Sequence, residues 1–300
     1  MQSAAADINN KSAIQNEGLV PEVMESGDWR RGASAEQMRA VVRSIDPSVA
    51  HIARIQDYWL GGKDHFEADR IAGDEAIVQL PDMVASVRNT RAFLGRAVRF
   101  LTEERGIRQF LDIGTGIPTA ANTHEVAQAI APESRIVYVD NDPMVLAHAR
   151  ALLTSTSAGR CAYIDADIRE PEKILNAAAE VLDLTEPVAV VLMAVLQFVP
   201  DEDDPHGLVR RLMGAVPDGS YLVISHPASD LQAAAMAGMA TRLNQLMAQR
   251  VKPRSKDEVT AFFDGLDLVD PGVIRCPEWR PDRPEDAAGK STMWGGVAKK

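Results

Sequence analysis

The chain has 300 residues, of which 46% are hydrophobic, and this is enough for one large α/β domain with a sizeable core. Its formal net charge of -11 argues against a broad basic surface, so we expect neither a nucleic-acid partner nor an anionic membrane. Because no apolar run reaches the roughly 20 residues of a membrane span and no secretory signal pattern begins the chain, we expect a cytoplasmic protein.

The first third of the chain predicts helices ahead of any strand. Residues 1–35 are small and polar without sustained periodicity, which predicts a poorly ordered arm. Residues 36–107 place apolar side chains at helical spacing, which predicts a helical cover with helices at about 38–45, 48–60, 66–79 and 82–105. Gly61-Gly62 is typical of a helix C-terminus.

Residues 108–300 alternate short apolar strands with helices, which predicts a parallel sheet covered on both faces. The first five strands are expected at Gln109–Ile113, Arg135–Asp140, Cys161–Asp165, Val188–Met193 and Tyr221–Ser225. The helices between them are expected at about 118–131, 142–153, 171–182 and 205–215. Two late strands, Leu266–Cys276 and Thr292–Ala298, predict an antiparallel hairpin at the sheet edge.

A methionine-rich helix is expected between the fifth strand and the hairpin, from Ser229 to about Gln249, with Ser229 or Asp230 as its N-cap. Ser255-Lys-Asp-Glu258 predicts a capping box before a further short helix. The apolar face of the long helix can pack internally, wall an acceptor pocket or contact a second copy. The oligomeric state is left open, with a homodimer as one option.

The run from Phe110 to Thr119 predicts a buried strand, a glycine turn and a helix that Pro118 begins. Glycines at this point let a ligand approach the backbone, and free N–H groups of a helix N-terminus attract anions. A dinucleotide loop would need a third glycine where Thr119 stands. S-adenosylmethionine has no pyrophosphate and therefore demands less of the loop. Its amino-acid end would contact Asp112, Gly114, Thr115 and Gly116, although a ligand-free tight turn also explains the glycines.

Acidic residues follow the next two strands. Asp140 ends the second strand, where a carboxylate can accept both ribose hydroxyls of an adenosine. Asn141 follows it, and we consider this residue both as a cofactor contact and as part of the cap of the next helix. Asp167 and Ile168 follow the third strand, where the acid and the next N–H can meet the adenine. Asp165 competes for that role, and an ordinary surface turn also fits these residues.

Residues that could contact the cofactor or a methyl acceptor follow the fourth and fifth strands. Met193, Ala194 and Gln197 lie where open α/β sheets bind ligands, so they are expected to touch cofactor or acceptor unless they simply continue the core. His226, just past the fifth strand, is the candidate catalytic base or acceptor-orienting group, with a structural histidine as the alternative. The cysteines Cys161 and Cys276 are far apart, and no metal site is expected.

Several of these motifs together resemble the class I S-adenosylmethionine-dependent methyltransferases: Leu111-Asp-Ile-Gly-Thr-Gly116, Val139-Asp140, Ala166-Asp-Ile168 and the late hairpin. A more specific likeness, to an actinobacterial S-adenosyl methyltransferase family of largely unknown substrate, lies in three runs: Pro47-Ser-Val-Ala-His-Ile-Ala-Arg54, Asp57-Tyr-Trp-Leu-Gly-Gly-Lys-Asp-His-Phe66 and Asn89-Thr-Arg-Ala-Phe93. The likeness covers about residues 45–300. Pro118 departs from the general methyltransferase loop, in which a third glycine is common at this position.

The resemblance implies a Rossmann-like, seven-stranded, mostly parallel sheet with an antiparallel C-terminal strand and a helical N-terminal extension over the cofactor. It also favours a ligand-binding role for Tyr58, Gly61, Gly62 and Lys63, in which the glycines allow a close turn and Lys63 meets a carboxylate. A helix C-terminus with a surface lysine is the alternative.

The function that follows is S-adenosylmethionine-dependent methyl transfer to a small-molecule acceptor. Such transfer is an in-line displacement, in which positioning supplies much of the catalysis, and a base is needed only for a poor nucleophile. Two alternatives are a non-catalytic S-adenosylmethionine-binding protein and an NAD-dependent oxidoreductase. The sequence names neither the acceptor nor the atom that is methylated.

Overall fold

The computed structural model describes residues 45–152 and 155–300. In this part of the chain three helices precede the first strand, as predicted: α1 Ile52–Leu60, α2 Glu67–Gln79 and α3 Met83–Glu103. Gly61 ends α1 with a φ of 85°, the left-handed conformation that glycine favours at a helix C-terminus. The predicted arm over 1–35 and the helix over 38–45 lie outside the described residues.

The strands form one mixed sheet in the order β3-β2-β1-β4-β5-β8-β6, with β7 also paired to β8. Neighbours from β3 to β5 are parallel, and β8 is antiparallel to β5, β6 and β7. The eight strands are β1 Gln109–Ile113, β2 Arg135–Asp140, β3 Arg160–Asp165, β4 Ala189–Met193, β5 Tyr221–Pro227, β6 Asp267–Leu268, β7 Ile274–Arg275 and β8 Met293–Lys299.

The predicted Rossmann-like architecture is confirmed, and one predicted strand is divided. The stretch expected as a single strand, Leu266–Cys276, forms β6 and β7, and each of them pairs with β8. Pro271 has no N–H for a strand ladder, and Gly272 turns the chain with a φ of 83°. This interruption raises the strand count from the expected seven to eight.

The helices of the second part are α4 Thr123–Ile130, α5 Pro143–Leu152, α6 Pro171–Ala178, α7 Pro205–Gly214, α8 Ala233–Leu246 and α9 Lys256–Thr260. The Ser255 capping box before α9 is confirmed. The expected caps of α8 are wrong, because Gln232 occupies the N-cap position. Asp230 instead accepts hydrogen bonds from the backbone N–H of Lys256 and the Trp294 indole.

The helix after the glycine loop begins later than predicted. Asn122 and Glu125 form a capping box that starts α4 at Thr123, so Pro118 belongs to the preceding loop. The backbone N–H of His124 in the first turn already donates to the Tyr138 hydroxyl, at 2.8 Å. The anion site expected at a helix beginning at Pro118 is therefore replaced by an extended loop.

Two helical layers cover the sheet, because alternate strand residues face opposite sides. One face, including Phe110 and Val191, packs on α3 and α4. The other, including Leu111 and Val190, packs on α6, α7 and α9. Asp112 lies two residues after Phe110 on the same strand, so its side chain faces α3.

Within residues 45–152 and 155–300, none of the helices has the length and apolar composition of a membrane span.

A third apolar cluster, formed by α1, α2 and α8, caps the molecule near the carboxyl ends of the strands. Trp59, Ala72, Ala76, Met239 and Leu243 are buried within it. We call α1, α2 and α8 the cap. The cap is the element through which the N-terminal helices take part in the functional site described below.

A fully buried acid ties α1 to α2. The Asp69 carboxylate is 0% exposed and lies 3.0–3.1 Å from Nε of Arg54. It also accepts the backbone N–H groups of His51, at 2.9 Å, and Phe66, at 2.8 Å. Both carboxylate oxygens are therefore satisfied within the cap.

Replacing Arg54 with methionine should destabilise the protein by about 3 kcal/mol, because the buried Asp69 carboxylate would lose its cation. Arg70→Met is the matched control, since Arg70 is exposed on α2 and its side chain lies near His65 at the surface. Its free energy of unfolding should change by about 0.5 kcal/mol or less. Urea unfolding measures both, and equal losses would contradict the role given to the Arg54–Asp69 pair.

Candidate functional site

A cavity lies between the carboxyl ends of β1 and β4 and the cap, and we call it the main cavity. It holds about 870 Å³ of empty space, including the part open to solvent. Its lining combines residues of the glycine loop, of α1, α3 and α8, and of the segments that follow β4 and β5. The lining residues are Ile52, Gln56, Trp59, Met83, Val87, Thr90, Arg91, Leu94, Asp112, Gly114, Thr115, Met193, Ala194, Gln197, Phe198, Pro227, Met236, Met239, Leu243, Val251, Thr292 and Met293.

The glycine loop forms one wall of the main cavity. Gly114 has a φ of 76°, and a Cβ built on it would lie 2.5 Å from Cγ2 of Val195. Gly116 has a φ of 66°, and its N–H donates to Oδ2 of Asp140 at 2.8 Å. The conformation and the close approach explain why glycine stands at position 114. Gly116 lines a smaller neighbouring cavity of about 280 Å³.

The Asp112 carboxylate borders both cavities and is 4% exposed. It accepts a 2.6 Å hydrogen bond from the Thr123 hydroxyl. Burial raises the pKa of Asp112 to about 6, against the opposing effects of the Thr123 hydrogen bond and the nearby Arg91 charge. A buried acid that is incompletely stabilised in its ionised form suits a cationic ligand, because a positive group would favour the carboxylate.

Arg91 is a site residue that the sequence analysis quoted without giving it a role. It lies on α3 and lines both cavities beside Asp112. Among the described residues its hydrogen bonds all run through Nη2, to the carbonyls of Ala120 and Ala121 and to Oδ1 of Asn122, at 3.2–3.4 Å. Burial lowers the pKa of Arg91. An arginine inside a helix usually lies on a solvated face, so only the register of α3 against β1 reveals this position.

The acids after β2 and β3 lie beside the main cavity but do not line it. Asp140 accepts the N–H groups of Gly116 and Asp142, at 2.8 and 3.0 Å, and burial raises its pKa. Asn141 donates to Oδ2 of Asp167 at 2.9 Å. This hydrogen bond links the predicted residues after β2 to those after β3. Asp167 also pairs with Arg169, and this hydrogen bond lowers the pKa of Asp167. Ile168 is buried against the sheet.

The end of β4 and the segment after it line the main cavity. Ala194 has a φ of 50°, an uncommon conformation for a residue with a Cβ, and its N–H donates to the carbonyl of Ser225 at 3.0 Å. Gln197 is 4% exposed, and its Nε2 donates to the carbonyl of Ala194 at 2.7 Å. Its Oε1 accepts no hydrogen bond from the described residues. Met193 completes this wall.

His226 lies outside the main cavity and is 0% exposed. Nε2 lies 3.0 Å from Nη1 of Arg254, a permanent donor, so Nδ1 carries the hydrogen that is donated to the carbonyl of Pro227 at 2.9 Å. Burial lowers the pKa of His226 to about 3. Both ring nitrogens are thus engaged in hydrogen bonds within the protein, and a ligand in the main cavity does not reach them.

Tyr58, Gly61, Gly62 and Lys63 also lie off the lining of the main cavity, whereas Trp59 between them lines it. The Tyr58 hydroxyl donates to Asp74 at 2.7 Å, and Lys63 is exposed. Gly62 is held close to Asp57, where a Cβ would overlap the carboxylate. The other face of α1 lines the cavity, through Ile52, Gln56 and Trp59. Their spacing of four and three residues places them on one helical face.

Replacing Asp112 with asparagine should stabilise the ligand-free protein at pH 8 by about 1–3 kcal/mol. The raised pKa means that the folded state holds the proton more tightly than the unfolded chain does. Wild-type stability is therefore lost as the pH rises from about 4 to 6, and asparagine escapes this loss. Urea unfolding from pH 4 to pH 8 measures the difference, which should fade towards pH 4. A variant that is less stable than wild type at pH 8 would contradict the assignment.

The comparisons with known proteins agree with this geometry. The model of a family described as S-adenosyl methyltransferase matches residues 38–300. The crystal structure of a DUF574 family protein from Streptomyces avermitilis is 45% identical, with a TM-score of 0.80 and coverage of 85% of this chain and 99% of its own. A candidate methyltransferase from Thermobifida fusca is 38% identical, with a TM-score of 0.78 and coverage of 84% and 96%. No curated protein matches the chain. The chain belongs to the S-adenosyl methyltransferase family, and its methyl donor is S-adenosylmethionine.

Proposed function

We propose that the protein transfers the methyl group of S-adenosylmethionine to a small molecule bound in the main cavity, by in-line displacement. The observation that carries this proposal is the continuity of the main cavity. One space runs from Asp112 and the glycine loop to an apolar region under the cap. Donor and acceptor can therefore share one enclosed volume, which is what a direct transfer requires.

The loop end of the main cavity fits the amino-acid part of the donor. Asp112 would hold its ammonium group. This positive charge would stabilise the ionised form of the buried acid, whose pKa burial raises. Arg91, on the facing helix, would hold its carboxylate. The backbone of Gly114, Thr115 and Gly116 would pass closely along the same part. S-adenosylmethionine supplies an electrophilic methyl on a sulfonium, and the protein residues bind and orient it.

The adenosine part would lie towards β2 and β3. The two oxygens of Asp140 each accept one backbone N–H, which leaves each a lone pair for a ribose hydroxyl. The bond between Asn141 and Asp167 places the proposed ribose and adenine contacts side by side. Ile168 would offer its backbone N–H to the adenine. Because the cap packs against this edge through Ala53, Ile117 and Met144, we infer that the cap covers the adenosine.

The acceptor would occupy the part of the main cavity that belongs to the cap cluster, which we call the apolar lobe. Its residues are Ile52, Trp59, Met83, Val87, Phe198, Met236, Met239, Leu243 and Val251. An enclosed apolar wall excludes water from the transfer and holds the acceptor against the methyl. The presence of this lobe favours an enzyme over a protein that only binds S-adenosylmethionine.

Two predicted groups receive structural roles in this proposal. His226 would fix the end of β5 against Arg254 rather than act as a base. The Tyr58–Lys63 run would position α1, so that the opposite face of that helix reaches the cavity. Met193, Ala194 and Gln197 would lie beside the donor and the acceptor.

Isothermal titration tests the cofactor assignment. We expect heat of binding with S-adenosylmethionine and S-adenosylhomocysteine and none with NAD. Asp140→Ala should weaken binding of both adenosyl ligands by 10-fold or more, because the ribose would lose a charged acceptor. Asp183→Ala is the control, since Asp183 meets Thr185 in the loop that precedes β4. Unchanged affinity in the Asp140 variant would refute the ribose assignment, and binding of NAD alone would refute the function.

Arg91→Met should weaken S-adenosylmethionine binding by about 10- to 100-fold, because an ionic hydrogen bond to the carboxylate is worth about 1.5–3 kcal/mol. Arg88→Met, an exposed position on the same helix, should leave affinity near the wild-type value. Titration of S-adenosylmethionine against decarboxylated S-adenosylmethionine sharpens the comparison. Only the first ligand should lose affinity in the Arg91 variant, and equal losses would contradict the carboxylate contact.

A further inference from the structure

We propose that the acceptor is an uncharged aromatic amine that lies in the apolar lobe and donates an N–H to Oε1 of Gln197. This inference rests on the proposed methyl transfer and names the class of molecule that receives the methyl. Three features of the main cavity carry it: the absence of charge in the apolar lobe, the lack of a free base in the lining, and an unpaired amide oxygen beside the donor site.

The apolar lobe selects against charged acceptors. Among the described lining residues the charged side chains are Arg91 and Asp112, and both belong to the glycine-loop end. A carboxylate or alkylammonium in the lobe would be buried without a counter-ion, which is strongly unfavourable. Trp59 and Phe198 offer aromatic contacts, and Met83, Met236 and Met239 offer adaptable thioethers that favour aromatic rings.

The described lining holds no histidine, lysine, cysteine or tyrosine. Its one titratable acid, Asp112, accepts from Thr123 and is assigned to the ammonium of the donor. A hydroxyl acceptor would need its proton removed before or during attack, and the lining offers no group for that. A weakly basic amine is neutral near pH 7 and attacks with its existing lone pair. The lining therefore favours nitrogen over oxygen as the reacting atom.

Gln197 supplies the polar contact that such an amine needs. Its Nε2 is committed to the carbonyl of Ala194, at 2.7 Å, so the unpaired Oε1 remains as an acceptor only. A buried carbonyl without a donor is destabilising, and an N–H of the acceptor would remove that cost. As positive charge develops on the nitrogen, this hydrogen bond strengthens, so it favours the transition state over the bound amine.

The transfer then balances without an added reagent. The nitrogen lone pair forms the new N–C bond while the C–S bond breaks, and the electron pair of that bond stays on sulfur. The product nitrogen is briefly cationic. It releases one N–H proton to water when the product leaves, because an N-methyl aryl ammonium is acidic at neutral pH. Gln197 holds the hydrogen bond during the transfer and takes no proton.

A matched set of naphthalenes tests the proposal: naphthylamine, naphthol, naphthoate and naphthylmethylammonium. Binding is measured by tryptophan fluorescence on protein loaded with S-adenosylhomocysteine, and transfer is measured from radiolabelled S-adenosylmethionine. We expect the neutral amine to bind at least 10-fold more tightly than either ion. We also expect the methyl to appear on nitrogen, at a rate independent of pH from 7 to 9.

Gln197→Met should lower kcat for the amine by about 10- to 100-fold and leave the affinity for S-adenosylhomocysteine unchanged. Gln245→Met, exposed near the end of α8, is the control variant and should keep the wild-type rate. Melting temperatures confirm that both variants fold.

Tighter binding of naphthoate or the ammonium, or no binding of naphthylamine, would overturn the acceptor class. Faster transfer to naphthol with a rate that rises with pH would do the same, and an unchanged kcat in the Gln197 variant would overturn the role of its amide. These outcomes are distinct from failure of the proposed function, in which S-adenosylmethionine itself would give no heat of binding.

Discussion

A carboxylate buried at the end of the central strand is the constraint around which this molecule is built. Because side chains alternate along β1, that of Asp112 faces α3, where it is buried from bulk water. Thr123 and Arg91 only partly compensate, so burial still holds the pKa of Asp112 near 6. A buried acid whose ionised form is only partly stabilised gains free energy when a cationic ligand binds beside it.

The cap adds to this site, because it covers the carboxyl edge of the sheet and forms one wall of the main cavity. The fully buried pair of Arg54 and Asp69 fixes α1 against α2. His51, at the start of α1, lies 2.6 Å from the carboxylate of Asp142, which belongs to the loop that follows β2. One end of α1 is thus tied to the proposed ribose edge while its inner face lines the main cavity. Cofactor binding and acceptor enclosure depend on the same short helix.

The sequence predicted most of the fold, because the elements carry strong local signals. Gly61 marked the end of α1, and the apolar runs marked five parallel strands to within one or two residues. The misplaced features depend on tertiary contacts. Asn122 and Glu125 start α4 late, and Asp230 accepts from the Trp294 indole and from the first N–H of α9 rather than capping α8. Likewise the motif that spans the end of α1 drew attention to Tyr58, whereas the register of the helix brings Gln56 and Trp59 to the cavity.

The burial of His226 changes how catalysis in this site has to be explained. The residue type and its predicted place just past the fifth strand suggested a base, but His226 lies within β5, where Arg254 and Pro227 occupy both ring nitrogens. Burial holds the pKa of this histidine near 3. The described lining holds no histidine, and its carboxylate, Asp112, is assigned to the donor. The proposed transfer would therefore draw its rate from alignment and from hydrogen bonds that strengthen with developing charge. The backbone at Ala194, held with a positive φ by Ser225, is then significant, since it fixes the carbonyl that orients Gln197. The positive-φ turn at the end of β4 thereby sets the position of the buried, unpaired amide oxygen of Gln197 in the wall of the cavity.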